Sequence, residues 1–507
     1  MAKFIVSHRL ANRGLDINRV ESRAAFEKSS PKFAAFAQVH ATRSPKEETA
    51  RGMMLAEGDP KDFEAKRKEA PADLIIEAQV PRRPCLFAPR LAAAGVPAEL
   101  GLGASLNLTV RSGGSAVGGA SVTLLAVNLR LGSTSSWLGI TDRSGTVSIP
   151  YDPRMWLPTA AIIVPKSGIW SWLLNRPQDG LILDLPPLPK SGPIGWWHQI
   201  LGITKYSERR GEGIRVGVVD TGVGPNSAVA HVRRMGALVN GALTKAKDAG
   251  ADVAEHGTHV AGIIGARPDG SSGNFAGIAP GADLMAIRVY PGGAPPPQPE
   301  GTASNGDIAA AIDQLSGPEA ADLINLSLGG DAPSDIELDA VLAAAQAGSL
   351  AICSAGNQNG APIMYPAAYP QTVSVSAVGL MGAVPNGSLD SLGVPSAPDQ
   401  MTYSGLYFAS FSNAGPEMKC TAPGVGIIST VPGHEGSPYA AMSGTSMAAP
   451  AVCGALATLL SEDAVYRRMP RGLERTQRAW SALFSSLRSL NLQQIYQGYG
   501  LVTAWPT

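Results

Sequence analysis

Within this chain of 507 residues, the run Gly444-Thr445-Ser446-Met447-Ala448-Ala449-Pro450 places the tightest limit on what can fold. A turn of small residues leads straight into an apolar stretch, Met447 to Leu460, that reads as a helix. Such a turn at the head of a helix fixes one hydroxyl, that of Ser446, with its oxygen exposed. Two upstream segments carry what a reactive serine needs. Ile214-Arg215-Val216-Gly217-Val218-Val219 is a buried-strand pattern ending on Asp220, followed by Thr221-Gly222. His256-Gly257-Thr258-His259-Val260-Ala261-Gly262 puts a histidine at the start of an apolar helical run.

A serine hydroxyl is a poor nucleophile at neutral pH and needs a base to take its proton. Histidine, with an unperturbed pKa of about 6.5, serves as base and then as acid. An aspartate holds its productive tautomer and favours the imidazolium. In this order the three motifs resemble those of the subtilisin-like serine proteases (subtilases), and the resemblance runs from about residue 200 to 465. Ser354-Ala355-Gly356-Asn357 is a fourth match. The resemblance implies that Asp220 orients the histidine, His256 is the general base and acid, and Ser446 attacks the carbonyl. It also implies that Asn357 donates to the oxyanion, with the Ser446 backbone N–H as second donor at its helix N-terminus. Leu323 to Gly330 resembles the family's substrate-binding edge, so Ser327, Leu328 and Gly329 are expected to pair with an extended peptide. By the same resemblance Ala355 and Gly356 line the pocket for the residue before the scissile bond. Met364 falls at the floor of that pocket, which makes it shallow and apolar and favours modest hydrophobic side chains.

Each residue has a plainer reading on its own. An aspartate after a strand is often a loop residue, a serine can cap a helix, and Met364 can be core filler. His256 and His259 have metal-ligand spacing, but Gly257 and Thr258 between them supply no acid of the kind seen in His-Glu-x-x-His zinc sites. The joint pattern favours a serine endopeptidase acting on polypeptides. A catalytically occluded peptide-binding protein and a serine esterase remain the alternatives.

Strand patterns at Ile214–Val219, Leu284–Val289, Leu323–Leu328, Leu350–Ser354 and Thr372–Val378 alternate with helical ones at His256–Ile264, Asn305–Gln314, Ile336–Ala347 and Met447–Leu460. That rhythm predicts an α/β fold, a subtilisin-like three-layer domain with a largely parallel sheet, over residues 200–507. Residues 1–95 are expected to form a small α/β unit, with a strand at Phe4–Ser7, helical stretches at Arg23–Gln38 and Asp62–Ala70, and a closing strand in Ala72–Val80 that holds an acidic residue. The unit resembles a subtilase inhibitory propeptide, which implies a zymogen. Residues 103–186 read as a β-sandwich with strand candidates Leu106–Val110, Ser121–Val127, Ser148–Pro150, Ala161–Val164 and Leu181–Leu185. Val117–Val122 followed by Thr141–Gly145 resembles the carboxypeptidase regulatory-like or transthyretin-like fold, which implies a docking or spacing module. Residues 187–199 hold a proline-rich linker and a candidate cleavage site. Tyr290–Gly301 and Gly379–Phe408 read as surface insertions, and the tail from Gly472 as a cover for one sheet edge.

Composition narrows the partners. Lys plus Arg and Asp plus Glu are equal at 41 each, so charge gives no support to nucleic acid or an acidic membrane as partner. The four cysteines, Cys85, Cys353, Cys420 and Cys453, are scattered and suggest no disulfide scaffold. No apolar stretch is long enough for a membrane span, and Met1 to Arg9 lacks a signal-peptide core. A cytoplasmic protein is the expectation, with export by another route left open. No cofactor is expected. Calcium is common in the family, and Asp269 and Asn274 lie where relatives often bind an ion, but an ordinary polar turn explains them equally well, so no metal is assigned.

Overall fold

The computed structural model describes residues 2–10, 38–39, 53–69, 74–87, 104–268, 275–292, 301–433 and 437–505. The apolar runs between Arg215 and Pro423 form a nine-stranded, largely parallel sheet. Its order is Ala242–Thr244, Arg233–Val239, Asp283–Arg288, Arg215–Asp220, Leu323–Leu326, Leu350–Ser354 and Val373–Leu380. The last of these also pairs with Cys420–Pro423 in parallel and Leu406–Phe408 antiparallel. Both faces are covered, which is why these strands are continuous apolar runs rather than alternating ones. Helices His256–Gly265 and Thr445–Glu462 pack against Val216, Val218, Leu284, Ile352 and Val375 on one face. Helices Asn305–Ser316 and Asp335–Gln346 pack against Val219, Ile287, Ile324 and Leu326 on the other. The result is the three-layer α/β architecture that the strand–helix rhythm predicts. Because the strands run parallel, Asp220, Ser327 and Asn357 all emerge at or just beyond strand carboxyl ends, where open α/β sheets present their ligand crevices.

The N-terminal residues form an antiparallel sheet in the order Gln38–Val39, Met53–Gly58, Ala2–His8, Leu74–Ala78, with helix Pro60–Glu69 on one face. Phe4 and Phe63 stack there with ring centroids 3.8 Å apart. The opposite face sends Ile5 and Ile75 into the core shared with helices Asn305–Ser316 and Asp335–Gln346, so the sheet is docked on the two helices of that layer. Of the expected helix Arg23–Gln38, residues 23–37 lie outside the described residues. Gln38 itself belongs to a strand.

Between these parts lies a β-sandwich. One sheet holds Thr146–Tyr151, Ala104–Ser112 and Leu181–Asp184, with Ser115–Ala116 paired to the second of these. The other holds Trp172–Asn175, Trp156–Val164, Ser121–Asn128 and Thr134–Ile140. Leu106, Leu108, Val110, Val122, Leu124, Trp137 and Ile163 fill the interior. Ser121–Asn128 alternates strictly between buried and half-buried positions, the period expected of a strand with one covered face. Three strands are absent from the sequence reading, Thr134–Ile140, Trp172–Asn175 and the two-residue Ser115–Ala116. The first opens on Thr134-Ser135-Ser136, and those polar residues hide its period.

The expectation that Gly379–Phe408 is a plain surface insertion needs correction, because the sandwich is anchored on it. Leu173 N–H donates to Gly387 O at 3.0 Å, Leu389 N–H donates to Ser171 O at 2.9 Å, and Trp172 lies over Gly387. Trp170 continues into the core of the main domain. The C-terminal tail does cover an edge. Leu501 bridges to Thr421 and Arg488, and Ala504 N–H donates to Leu201 O at 2.8 Å. All four cysteines are buried and form no disulfide. Among the described residues no helix is long and apolar enough to cross a membrane.

Candidate active site

Asp220 ends its strand and His256 opens its helix, and the fold brings the two side chains together in the interior. Asp220 Oδ1 accepts from His256 Nδ1 at 2.7 Å and from the Thr221 N–H at 2.7 Å. With Nδ1 as donor, Nε2 is left as the ring's basic nitrogen. A second carboxylate secures the helix start. Asp252 accepts from Thr221 Oγ1 at 2.8 Å, from the Thr258 N–H at 2.8 Å and from the Thr258 hydroxyl. Thr221 Oγ1 in turn accepts from the Gly257 N–H at 2.8 Å. Gly257 packs so closely on the Gly222 backbone that a side chain there would collide with the Gly222 carbonyl. His259 plays a different part from its neighbour. Its Nε2 points at Ile427 O and Ala440 O, each 3.1 Å away, and burial lowers its pKa to about 3, so it is a neutral tie between its helix and the paired strands Ile427–Thr430 and Tyr439–Met442.

Ser446 sits in the first turn of its helix behind Gly444, whose φ of +156° lies at the edge of what a side chain tolerates. The Ser446 hydroxyl donates to Ser327 O at 2.9 Å, and the Ser327 hydroxyl returns a bond to Ser446 O at 2.9 Å. Asn357 Oδ1 accepts from Thr445 N–H at 3.0 Å and Thr445 Oγ1 at 2.9 Å, which turns its Nδ2 outward. That Nδ2 and the Ser446 N–H, the latter at 3.1 Å, converge on one acceptor, the carbonyl oxygen of Cys85.

Cys85 belongs to a segment that the sequence reading did not place here. Strand Pro81–Pro84 lies antiparallel between Leu328–Gly329 and Ala303–Ser304. Leu328 faces Pro84, Gly329 faces Arg83, and Cys85 N–H donates to Ser327 O at 3.2 Å. Ser327, Leu328 and Gly329 therefore hold an extended segment by backbone pairing, and that segment is the chain's own. Met364 hangs from Ala355 O at 3.0 Å, and its side chain lies against Gly329 and Gly356. The Cys85 sulfur also lies alongside Gly329. Past Cys85 the chain continues, with Phe87 N–H donating to Ser443 O at 2.8 Å and the Phe87 ring stacked on Phe411 at 4.6 Å. The only sequence signal for this was the compact run Pro81-Arg82-Arg83-Pro84, where prolines favour an extended chain.

Two further carboxylates fasten the segment. Glu77 accepts from Ser334 Oγ at 2.6 Å, Asp335 N–H at 2.7 Å, Ile336 N–H at 3.3 Å and Asn305 Nδ2 at 2.8 Å, so it caps helix Asp335–Gln346. Burial raises its pKa against the pull of those bonds. Glu337, in the first turn of the same helix, pairs with Arg82. Asp269 and Asn274 lie outside the described residues, and among the described residues no three His, Cys, Asp or Glu side chains gather to hold a metal.

Comparison with known proteins identifies the family of the main domain. Residues 211–476 match the model of the subtilase family. The chain is 34% identical over 274 residues to the major intracellular serine protease of Bacillus subtilis (strain 168), covering 51% of this chain and 73% of that protein. It is 36% identical over 225 residues to the thermophilic serine proteinase of Bacillus sp. (strain AK1), 44% of this chain and 47% of that protein. Against subtilisin Savinase of Lederbergia lenta it is 32% identical over 255 residues, 50% and 78% respectively. Asp220, His256, Asn357 and Ser446 all fall inside the matched stretch, and the chain belongs to the subtilase family of serine endopeptidases.

Proposed function

We propose that the protein is a serine endopeptidase that works through an acyl-enzyme on Ser446 and is made as a zymogen whose own residues 81–87 occupy the cleft. The observation that carries this reading is the pair of N–H donors, from Ser446 and Asn357, aimed at the Cys85 carbonyl oxygen. In the reaction the Ser446 hydroxyl turns from Ser327 O, gives its proton to His256 Nε2 and bonds to the carbonyl carbon. The two donors hold the oxyanion, and Asp220 stabilises the imidazolium. Collapse breaks the Cys85–Leu86 bond. The Leu86 amine leaves with the proton from His256, and water then hydrolyses the ester by the same exchange in reverse.

The N-terminal sheet supports the zymogen reading because it buries Ile5 and Ile75 on the main domain and continues directly into the cleft strand. Met364 beside Gly329 and Gly356 leaves room for a small residue such as Cys85 before the bond. The sandwich, which resembles carboxypeptidase regulatory-like modules, is read as a spacer anchored at Gly387 and Leu389.

The test is intact mass over time for wild type and Ser446→Ala. Wild type is expected to lose the residues up to Cys85 while Ser446→Ala stays whole. A wild-type chain that stays whole and whose Ser446 never reacts with a fluorophosphonate, even after limited removal of the N-terminal unit, would make it an occluded peptide-binding protein. Labelling without cleavage of any polypeptide would favour the esterase.

A further inference from the structure

We propose that the cleft selects arginine three positions before the residue whose carbonyl is attacked, through a buried carboxylate, Glu337. The inference rests on residues 81–87 lying as a substrate lies. Counting back from Cys85, that position is Arg82, and its side chain is only 1% exposed. Arg82 Nε donates to Glu337 Oε1 at 2.9 Å and Nη2 to Oε2 at 2.6 Å, a two-pronged pair in which both carboxylate oxygens are used. Nη2 also donates to Ala332 O at 2.8 Å. Gly330 forms the wall. A Cβ there would stand 2.8 Å from both Arg82 Nη1 and the Pro81 carbonyl oxygen, so a side chain at this position would crowd the bound guanidinium. Arg83, one residue on, is exposed and reaches no such partner among the described residues, so two adjacent arginines have opposite surroundings.

The charge balance argues that this subsite belongs to the enzyme and is not an accident of docking. Glu337 is 0% exposed and comes from the main domain, whereas its cation comes from the segment that must leave. Among the described residues Arg82 supplies the only ion pair that Glu337 makes. Burial pushes the Glu337 carboxyl up while the Arg82 guanidinium pulls it down. Once the N-terminal segment departs, a buried carboxylate faces the vacated groove, and an incoming peptide that fails to return a guanidinium leaves it unpaired. A lysine at this position would place one point charge where the site offers a forked acceptor plus a carbonyl, and it serves the site less well than arginine. The substrate class this predicts is a polypeptide in extended form reading Arg-x-Pro-x or Arg-x-x-x up to the cut, with a small residue at its end.

The experiment measures kcat/KM of the processed enzyme on the heptapeptide Pro-Arg-Arg-Pro-Cys-Leu-Phe and on versions with leucine or lysine at either arginine. Leucine for the first arginine should lower kcat/KM about a hundredfold or more, the order expected when a buried ionic partner is removed. Lysine there should fall in between, and leucine for the second arginine should change it less than threefold. Glu337→Gln should narrow the gap between the arginine and leucine peptides at least tenfold, and the wild-type peptide series decides the matter should that variant not fold. Denatured casein serves as a general substrate. Wild type that digests casein yet cuts the first-position arginine and leucine peptides equally, or cuts neither, overturns arginine selection and leaves the endopeptidase reading standing. Failure on casein together with no fluorophosphonate labelling of Ser446 overturns both.

Discussion

Asn357 is held in one orientation, because Thr445 donates twice to its Oδ1 and thereby turns Nδ2 into the cleft. Truncation to alanine removes one of the two donors aimed at the carbonyl oxygen while leaving Asp220, His256 and Ser446 in place. Asn357→Ala is therefore expected to lower kcat about 10²–10³-fold, or roughly 3–4 kcal/mol, with KM on a peptide substrate changing little. Steady-state kinetics on the processed enzyme checks this, and a rise in KM at constant kcat would reassign Asn357 to ground-state binding. Residues of this kind were legible in the sequence because each lies in a short run whose neighbours are dictated by local sterics. Gly257 touches the Gly222 backbone, and Gly356, at φ +110°, takes a conformation that side chains rarely adopt. Arg82 and Glu337 were not legible. They lie 255 residues apart, and nothing local to either marks it as half of a buried pair.

At the scale of elements, strands and helices were read well where both faces are covered and poorly where burial depends on a distant partner. Arg215–Asp220 and Leu350–Ser354 are apolar throughout and need no knowledge of what covers them. Thr134–Ile140 begins with polar residues, one of which, Ser136, is buried only because the sandwich closes over it. Pro81–Pro84 is a strand solely because Leu328–Gly329 and Ala303–Ser304 flank it. One tie on that strand comes through the strand before it, Leu74–Ala78, whose Glu77 sits at the start of helix Asp335–Gln346. Glu77→Ala leaves the N–H groups of Asp335 and Ile336 without their carboxylate. Hydrogen bonds to a charged group are each worth about 1.5–3 kcal/mol. In the unprocessed chain, Glu77→Ala should therefore raise the rate at which a fluorophosphonate labels Ser446 by about tenfold or more. Equal rates for the variant and wild type would mean that the cleft strand is held without help from this cap.

Across the whole molecule, buried histidines and buried carboxylates pull the response to acid in opposite directions. His198 accepts from Gly195 N–H at 3.1 Å through Nδ1 and meets Ala276 O at 3.1 Å through Nε2, while His259 ties its helix to Ile427 and Ala440. Burial lowers the pKa of each to about 3. The unfolded chain protonates these side chains near pH 6.5 and the folded chain does not until about pH 3, so the unfolded state binds more protons in that window. Stability is therefore unaffected by them above pH 6.5 and falls as the pH drops below it. At pH 5 each histidine costs about 2 kcal/mol relative to pH 8. Asp307 acts in the opposite sense. Burial raises its pKa to about 6, so acidification to pH 5 returns about 1.4 kcal/mol, and burial raises the carboxyls of Glu77, Asp252, Glu337 and Asp390 in the same sense. His259→Gln isolates one share of the histidine effect. The glutamine keeps a donor for Ile427 O but cannot titrate. In a Ser446→Ala background, which prevents self-digestion, denaturant unfolding of the main domain should show the variant gaining about 2 kcal/mol on its parent as the pH falls from 8 to 5. A difference between the two chains that stays constant over that range would mean that His259 takes up its proton equally in both states, and that the acid response arises elsewhere.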